Sequence, residues 1–235
     1  MGHLYLVRHA QASFFGADYD RLSGLGREQA RILGEHWARH RVEFTRCYVG
    51  PRRRHHETQS IVAAAYQAAG LPFPAAREIP ELDEHHGTAV IKQTLGERDV
   101  TGPALHAAEV APAERARAVR EFFRLYNDVM RDWARGTVAV EGIENWAEFR
   151  ARSLRALDLL CAGQDAGRGV AFTSGGLVSS AAGWLLGLDD ERVIDLSIVL
   201  RNTAVTEVSW SSRRRSLVSF NALPHLPDPA AATSV

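Results

Sequence analysis

Cysteine is nearly absent from this chain: Cys47 and Cys161 are the only two in 235 residues. They lie far apart in apolar surroundings, and neither belongs to a Cys-x-x-Cys pair or a Cys/His metal spacing. Free buried thiols are therefore expected rather than a disulfide framework or a thiolate metal site. Excess charge is missing as well. The 28 basic side chains balance 28 acidic ones, and the pI is near 7.2, so nothing global points to nucleic acid or an anionic membrane as a partner. No apolar run reaches membrane-spanning length, and there are no internal repeats. Met1-Gly2-His3 leads straight into a strand without the charged region, apolar core and cleavage site of a secretory leader, so a cytoplasmic protein is expected.

What is present is enough apolar residue, 46% of the chain, to bury one substantial core. A single domain over 1–223 is expected, with room for an inserted helical cap, and a disordered Pro- and Ala-rich tail over 224–235. The first apolar run, Leu4 to Val7, ends in Arg8-His9-Ala10-Gln11-Ala12-Ser13, which delivers a guanidinium and an imidazole to the end of a strand. An isolated Arg-His pair is more often a solvated strand edge than a catalytic centre. The combination makes chemical sense where an anion is held, because the guanidinium fork grips phosphoryl oxygens while a neutral ring nitrogen attacks phosphorus. The neighbouring Phe14-Phe15 is read as core filling, with pocket cover as the alternative.

Helical spacing of Leu25, Ala30, Leu33, Trp37 and Ala38 predicts a first helix to about Arg41. A short strand over 45–49 and a second helix over 52–69 follow, with Pro51 suited to the first turn of that helix. Arg52-Arg53-Arg54 at the start of this helix is electrostatically awkward against the positive end of the helix dipole, and an anion held there would compensate. Beyond it, His85-His86 lies among Glu81, Asp83 and Glu84. Neighbouring side chains on an extended segment point apart and no further ligand set is visible, so no metal is expected. Two amphipathic helices are read through Phe122–Trp133 and Trp146–Leu160, their aromatic stripes assigned to core. A buried strand over 169–174 then opens through Gly175-Gly176 into another helix, a turn that suits close approach of an anion. A short helix around 190–196 and two final strands, 201–210 and 216–221, complete the pattern. Alternating strands and helices imply a mainly parallel sheet covered on both faces.

The opening, Arg8-His9 followed by Asp20-Arg21-Leu22-Ser23-Gly24-Leu25-Gly26-Arg27-Glu28-Gln29-Ala30, resembles the histidine phosphatase superfamily, the phosphoglycerate mutase-like proteins. Their pattern is a strand, Arg-His-Gly, then Asp-x-x-Leu-Thr-x-x-Gly-x-x-Gln-Ala. Ala10 stands in place of the usual glycine. Gly50-Pro51-Arg52-Arg53-Arg54-His55-His56-Glu57-Thr58 resembles the family's Ser-Pro-Leu-x-Arg-Ala-x-x-Thr, and Leu82-Asp83-Glu84 its Leu-x-Glu. The resemblance implies a three-layer α/β/α sandwich with the helical cap at 88–140, and a metal-independent phosphomonoester hydrolase without organic cofactor, acting on a small phosphorylated substrate. A homodimer is left open. It further implies His9 as the nucleophile, Arg8 and Arg54 as phosphate ligands and Glu84 as proton donor, with Glu81 or Asp83 as substitutes, and Arg52 at the pocket mouth.

One departure is central. The family strand corresponding to 169–174 ends in a histidine that donates to the phosphoryl oxygens, and this chain has Ser174. The Ser174 hydroxyl and the neighbouring Thr173 hydroxyl are the candidate replacements. Loss of a preorganised donor costs roughly 100- to 1000-fold in rate, so a phosphate-ester binding module with little turnover is the alternative reading. A mutase is disfavoured: the family's mutases carry Arg-His-Gly-Glu-Ser-x-x-Asn, whereas Gln11 and Phe15 replace the Glu and Asn here.

Overall fold

Strand β1 (Gly2–Arg8) turns Leu4 and Leu6 to one side and Tyr5 and Val7 to the other. Helices cover both sides, which is why the run is apolar throughout instead of alternating. The structure is a computed structural model and describes residues 1–13, 20–95, 112–162 and 167–234. Phe14-Phe15, the beginning of the helical stretch at Gly102 and its end at Gly163 lie outside the described residues.

The remaining strands are β2 (Arg46–Val49), β3 (Ala76–Glu78), β4 (Arg168–Thr173), β5 (Val205–Trp210) and β6 (Arg215–Ala222). The six form one sheet in the order β3-β2-β4-β1-β5-β6, with antiparallel pairing only of β5 to its two neighbours. This is the expected α/β architecture with a mostly parallel sheet. The helices are α1 (Gly24–Arg39), α2 (Arg53–Ala68), α3 (Gly87–Leu95), α4 (Pro112–Ala134), α5 (Trp146–Leu160), α6 (Gly175–Leu186) and α7 (Asp190–Val199). On one face of the sheet Leu33 and Trp37 of α1 and Val62 and Tyr66 of α2 pack on Val7, Val49, Val170 and Phe172. On the other, Leu157 and Leu160 of α5 and Leu177 and Ala181 of α6 pack on Leu4, Leu6 and Ala171. A third apolar cluster joins α3, α4, α5 and α7 through Val90, Met130, Trp133, Phe149 and Val193, and builds a helical wall beside the carboxyl ends of the strands.

Three details differ from expectation. Strand β3 pairs parallel with β2 at the sheet edge, yet its three residues are all exposed and carry no alternation to reveal it. Arg52 caps α2, so Pro51 precedes the helix and does not sit in its first turn. The tail is also placed. The Gln29 amide donates to Ala231 O at 2.8 Å and Thr233 Oγ1 at 2.9 Å, Asn202 N donates to Thr233 O at 2.7 Å, and His225 and Leu226 are buried. Proline and alanine removed the periodicity that signals structure, but the partners that hold this segment belong to distant residues.

Candidate active site

The site is assembled where β1 and β4 end side by side. In their parallel register Arg8 faces Thr173, and the His9 amide donates to Thr173 O at 2.8 Å. His9 is 5% exposed. Its Nδ1 lies 2.8 Å from Ala10 O, a carbonyl that can only accept, so Nδ1 carries the proton and Nε2 keeps its lone pair. Burial, then the positive charges of Arg54 and Arg8 and the neighbouring His55, hold this imidazole well below its ordinary pKa. The ring is therefore neutral at physiological pH, with its tautomer set by the backbone.

The loop that carries His9 is fastened from three directions. Ala10 N donates to Thr58 Oγ1 of α2 at 3.1 Å, and Asn202 Nδ2 donates to His9 O at 3.1 Å. From α1, the fully buried Gln29 accepts from Gln11 N at 2.9 Å. The spacing around Ser23 and Gly26 now has a physical reason. Ser23 Oγ caps α1 by accepting from Gly26 N at 2.9 Å, and a Cβ at Gly26 would lie 2.0 Å from Gln11 O, so no side chain fits there.

Arg54, 3% exposed, donates through Nη1 to Asp20 Oδ1 at 2.7 Å and through Nη2 to Ser174 Oγ at 3.3 Å. The other Asp20 oxygen accepts from Arg53 N at 2.8 Å. The anion that offsets the awkward arginine cluster at the start of α2 is thus the chain's own carboxylate. Arg8 donates to Leu200 O, and its Nη2 donates to Ser234 O at 2.6 Å. Arg52 pairs with Asp83 and lines the cavity.

Glu84 reaches the site from the loop before α3. Its Oε2 accepts from Gly176 N at 3.2 Å at the start of α6, and its Oε1 from His85 N at 3.0 Å. Burial pushes this carboxyl up, but His85, Arg54 and the two amide donors outweigh burial and hold it below its ordinary value. A cavity of about 510 Å³ contains Arg8, His9, Arg54, Glu84, Gly175 and Gly176 in its wall, together with Asn202 and His85. Tyr126 and Asn127 from α4 and Lys92 from α3 also line it. Among the described residues no group of three or more His, Cys, Asp or Glu is arranged to hold a metal ion.

Four sequence-predicted residues, Arg8, His9, Arg54 and Glu84, therefore meet at one cavity, and two do not. The Thr173 hydroxyl donates to Leu82 O at 2.7 Å, anchoring the loop that carries Glu84. Ser174 is fully buried and outside the cavity lining, with its Oγ 2.6 Å from His55 Nε2. Both hydroxyls are committed to partners inside the protein, and neither residue lines the cavity. Sequence reading missed His55 and His85 as parts of this arrangement; the only signal was their place in histidine pairs beside motif residues.

The sequence profile of the histidine phosphatase superfamily (branch 1) matches residues 4–95 and 88–223. The chain belongs to that superfamily. Phosphatases and a mutase are among the structural neighbours. Alpha-ribazole phosphatase from Shigella flexneri superposes with a TM-score of 0.63 at 19% identity, over 94% of this chain and 96% of that one. Phosphoserine phosphatase from Entamoeba histolytica, in complex with 3-phosphoglyceric acid, gives 0.63 at 17% identity over 96% and 100%. Phosphoglycerate mutase from Bacillus anthracis gives 0.62 at 18% identity over 96% and 95%. At these identities the likeness is one of fold. No curated protein sequence matches the chain. Among the described residues no helix is long and apolar enough to cross a membrane.

Proposed function

We propose that this histidine phosphatase superfamily member is a phosphomonoester hydrolase that works through a phosphohistidine on His9 and needs no metal. The observation that carries this reading is the Nδ1 contact to Ala10 O, which leaves Nε2 of a neutral imidazole as the free nucleophile beside Arg8 and Arg54. In the first step the Nε2 lone pair forms the N–P bond and the P–O bond to the leaving group breaks. The departing oxygen takes a proton from Glu84. Arg8 and Arg54 offset charge on the phosphoryl oxygens. Water then attacks phosphorus, Glu84 accepts its proton, and His9 is released with its lone pair. Glu84 is ionised in the empty site at neutral pH; a bound phosphate brings like charge beside it and raises its pKa toward the acid form the first step requires.

The residues of 88–140 that reach the cavity, Thr88, Ala89, Lys92, Phe123, Tyr126 and Asn127, suit selection of the group esterified to phosphate by mixing a cation, polar groups and aromatic surface. The second reading, a phosphate-ester binding module with little turnover, is favoured by two observations. Ser174 does not adjoin the cavity, and Arg8 already donates to two carbonyls.

Hydrolysis of an aryl phosphate in the presence of chelator, beside a His9→Ala control, tests the proposal. Activity that disappears with His9, together with an acid-labile phosphoprotein trapped from the wild type, is the expected result. Absence of turnover from pH 5 to 8 with phosphate binding retained would replace the hydrolase reading by the binding-module reading.

A further inference from the structure

We propose that His85 is a further catalytic residue, donating its Nε2–H to a substrate oxygen beside Glu84 and so supplying the imidazole donor that strand β4 does not. The proposal rests on the phosphatase reading for its role in turnover, but its geometry stands independently. Ring orientation is fixed first. The Gly87 amide donates to His85 Nδ1 at 3.0 Å, so Nδ1 holds a lone pair and the proton of the neutral ring sits on Nε2. The ring is clamped between Trp133, at a centroid distance of 5.5 Å, and the edge-on Phe149, at 5.3 Å.

Its placement is equally defined. Nε2 lies 3.6 Å from Glu84 Oε1, too long for a hydrogen bond, so the N–H is not spent on the carboxylate. A Cβ built on Gly176 would lie 2.6 Å from Cδ2 and 3.1 Å from Nε2 of His85. The N–H edge therefore rests against the first turn of α6, whose amide already holds Glu84. His85 also lines the cavity, which neither Ser174 nor His55 does. Because the Gly87 amide occupies Nδ1, a second proton would break that bond. His85 is thus a hydrogen-bond donor to the substrate and Glu84 remains the group that transfers a proton.

The test uses two replacements that separate donation from packing. His85→Phe keeps an aromatic ring between Trp133 and Phe149 but has no N–H, whereas His85→Gln gives up the ring and places an amide donor near the Nε2 position. Removal of one preorganised donor is worth about 100- to 1000-fold in kcat. Donation predicts a loss of that order for His85→Phe and at least a tenfold recovery in His85→Gln relative to it, at matched circular dichroism. Inorganic phosphate affinity, measured by calorimetry, should weaken about tenfold or more in His85→Phe. A His85→Phe enzyme within threefold of wild type in both kcat and phosphate affinity would overturn the proposal. Should the wild type turn over no phosphomonoester, the phosphatase reading falls while the phosphate titration still decides for or against His85.

Discussion

His55 Nε2 and Ser174 Oγ lie 2.6 Å apart across 119 positions of sequence, and the same serine oxygen accepts from Arg54 Nη2. Ser174 is the N-cap of α6 but makes no capping bond, so its hydroxyl is committed to α2 instead. The resemblance to the family's motifs would put a histidine at the position of Ser174 and an alanine at that of His55, and on that reading a large and a small side chain trade places at one contact.

Arg54 is then oriented by Asp20 on one side and by the His55–Ser174 pair on the other. Replacing Ser174 by Ala removes an acceptor from a buried guanidinium, expected to destabilise the fold by about 1–3 kcal/mol. His55→Ala should cost a similar amount by opening a cavity. The double replacement should cost less than the sum, with a coupling of roughly 0.5–3 kcal/mol. The exchange His55→Ala with Ser174→His should be more stable and more active than either single variant. Denaturant midpoints and kcat for the set check this, and additive effects would show that the pair does not act as a unit.

The pH profile follows from two opposite facts about one cavity. His9 is held well below its ordinary pKa, first by burial and then by Arg54 and Arg8. The neutral nucleophile therefore persists as pH falls through 6.5, and no loss of rate is expected there. Glu84 is held below its ordinary value in the free enzyme, so its acid form becomes more abundant as pH falls. Accordingly kcat/KM should rise from pH 8 toward pH 5, and Glu84→Gln should flatten that slope while lowering the rate. A profile that falls with acid through 6.5 in the wild type would contradict the His9 assignment.

Much of this site could be read from the chain because Arg8-His9, Arg54 and Glu84 lie in stretches that resemble the family's motifs, and each of them reaches the cavity. Thr173 and Ser174 were read from the same position, yet a hydroxyl turns toward whichever partner is nearest, and those partners, Leu82 O and His55, come from other elements. His85 was legible only as half of a histidine pair. Its role depends on a ring orientation set by Gly87, Trp133 and Phe149, which no local pattern encodes. Strand β3 escaped notice because an exposed edge strand has no buried face to generate alternation.

Gly176 separates catalysis from stability. A Cβ there would meet Glu84 Oε1 at 2.3 Å and His85 Cδ2 at 2.6 Å, whereas at Gly175 the nearest atom is Arg8 Nε at 3.5 Å, an ordinary contact. Gly176→Ala should therefore displace the carboxyl and the neighbouring imidazole. A loss of about 100-fold in kcat is expected, while alanine in place of glycine in α6 favours the helix by up to about 1 kcal/mol. Gly175→Ala should stay within a few-fold of wild type. Activity and melting temperature measured on both variants check the contrast, and equal effects would show that Glu84 moves aside without consequence.

The carboxyl-terminal segment bears on the affinity of the same site. Ser234 lines the cavity, and its carbonyl accepts from Arg8 Nη2, a donor that a phosphoryl oxygen would also use. Thr233 is fastened to Asn202 and Gln29, and Asn202 in turn holds His9 O. Ending the chain after Asp228 removes the competing carbonyl but also the partners of Gln29 and Asn202. The two consequences have different readouts. Loss of the Ser234 carbonyl should lower KM for a phosphomonoester, because Arg8 Nη2 then gives up one acceptor fewer when it binds phosphate. Loss of the Gln29 and Asn202 partners should lower the melting temperature, by a few degrees for each kcal/mol lost. Thr233→Val isolates the second effect, since it removes the side-chain bonds to Gln29 and Asn202 and leaves the Ser234 carbonyl in the chain. A truncated protein with an unchanged or higher KM would mean that the segment orders Arg8 for phosphate and does not compete for it.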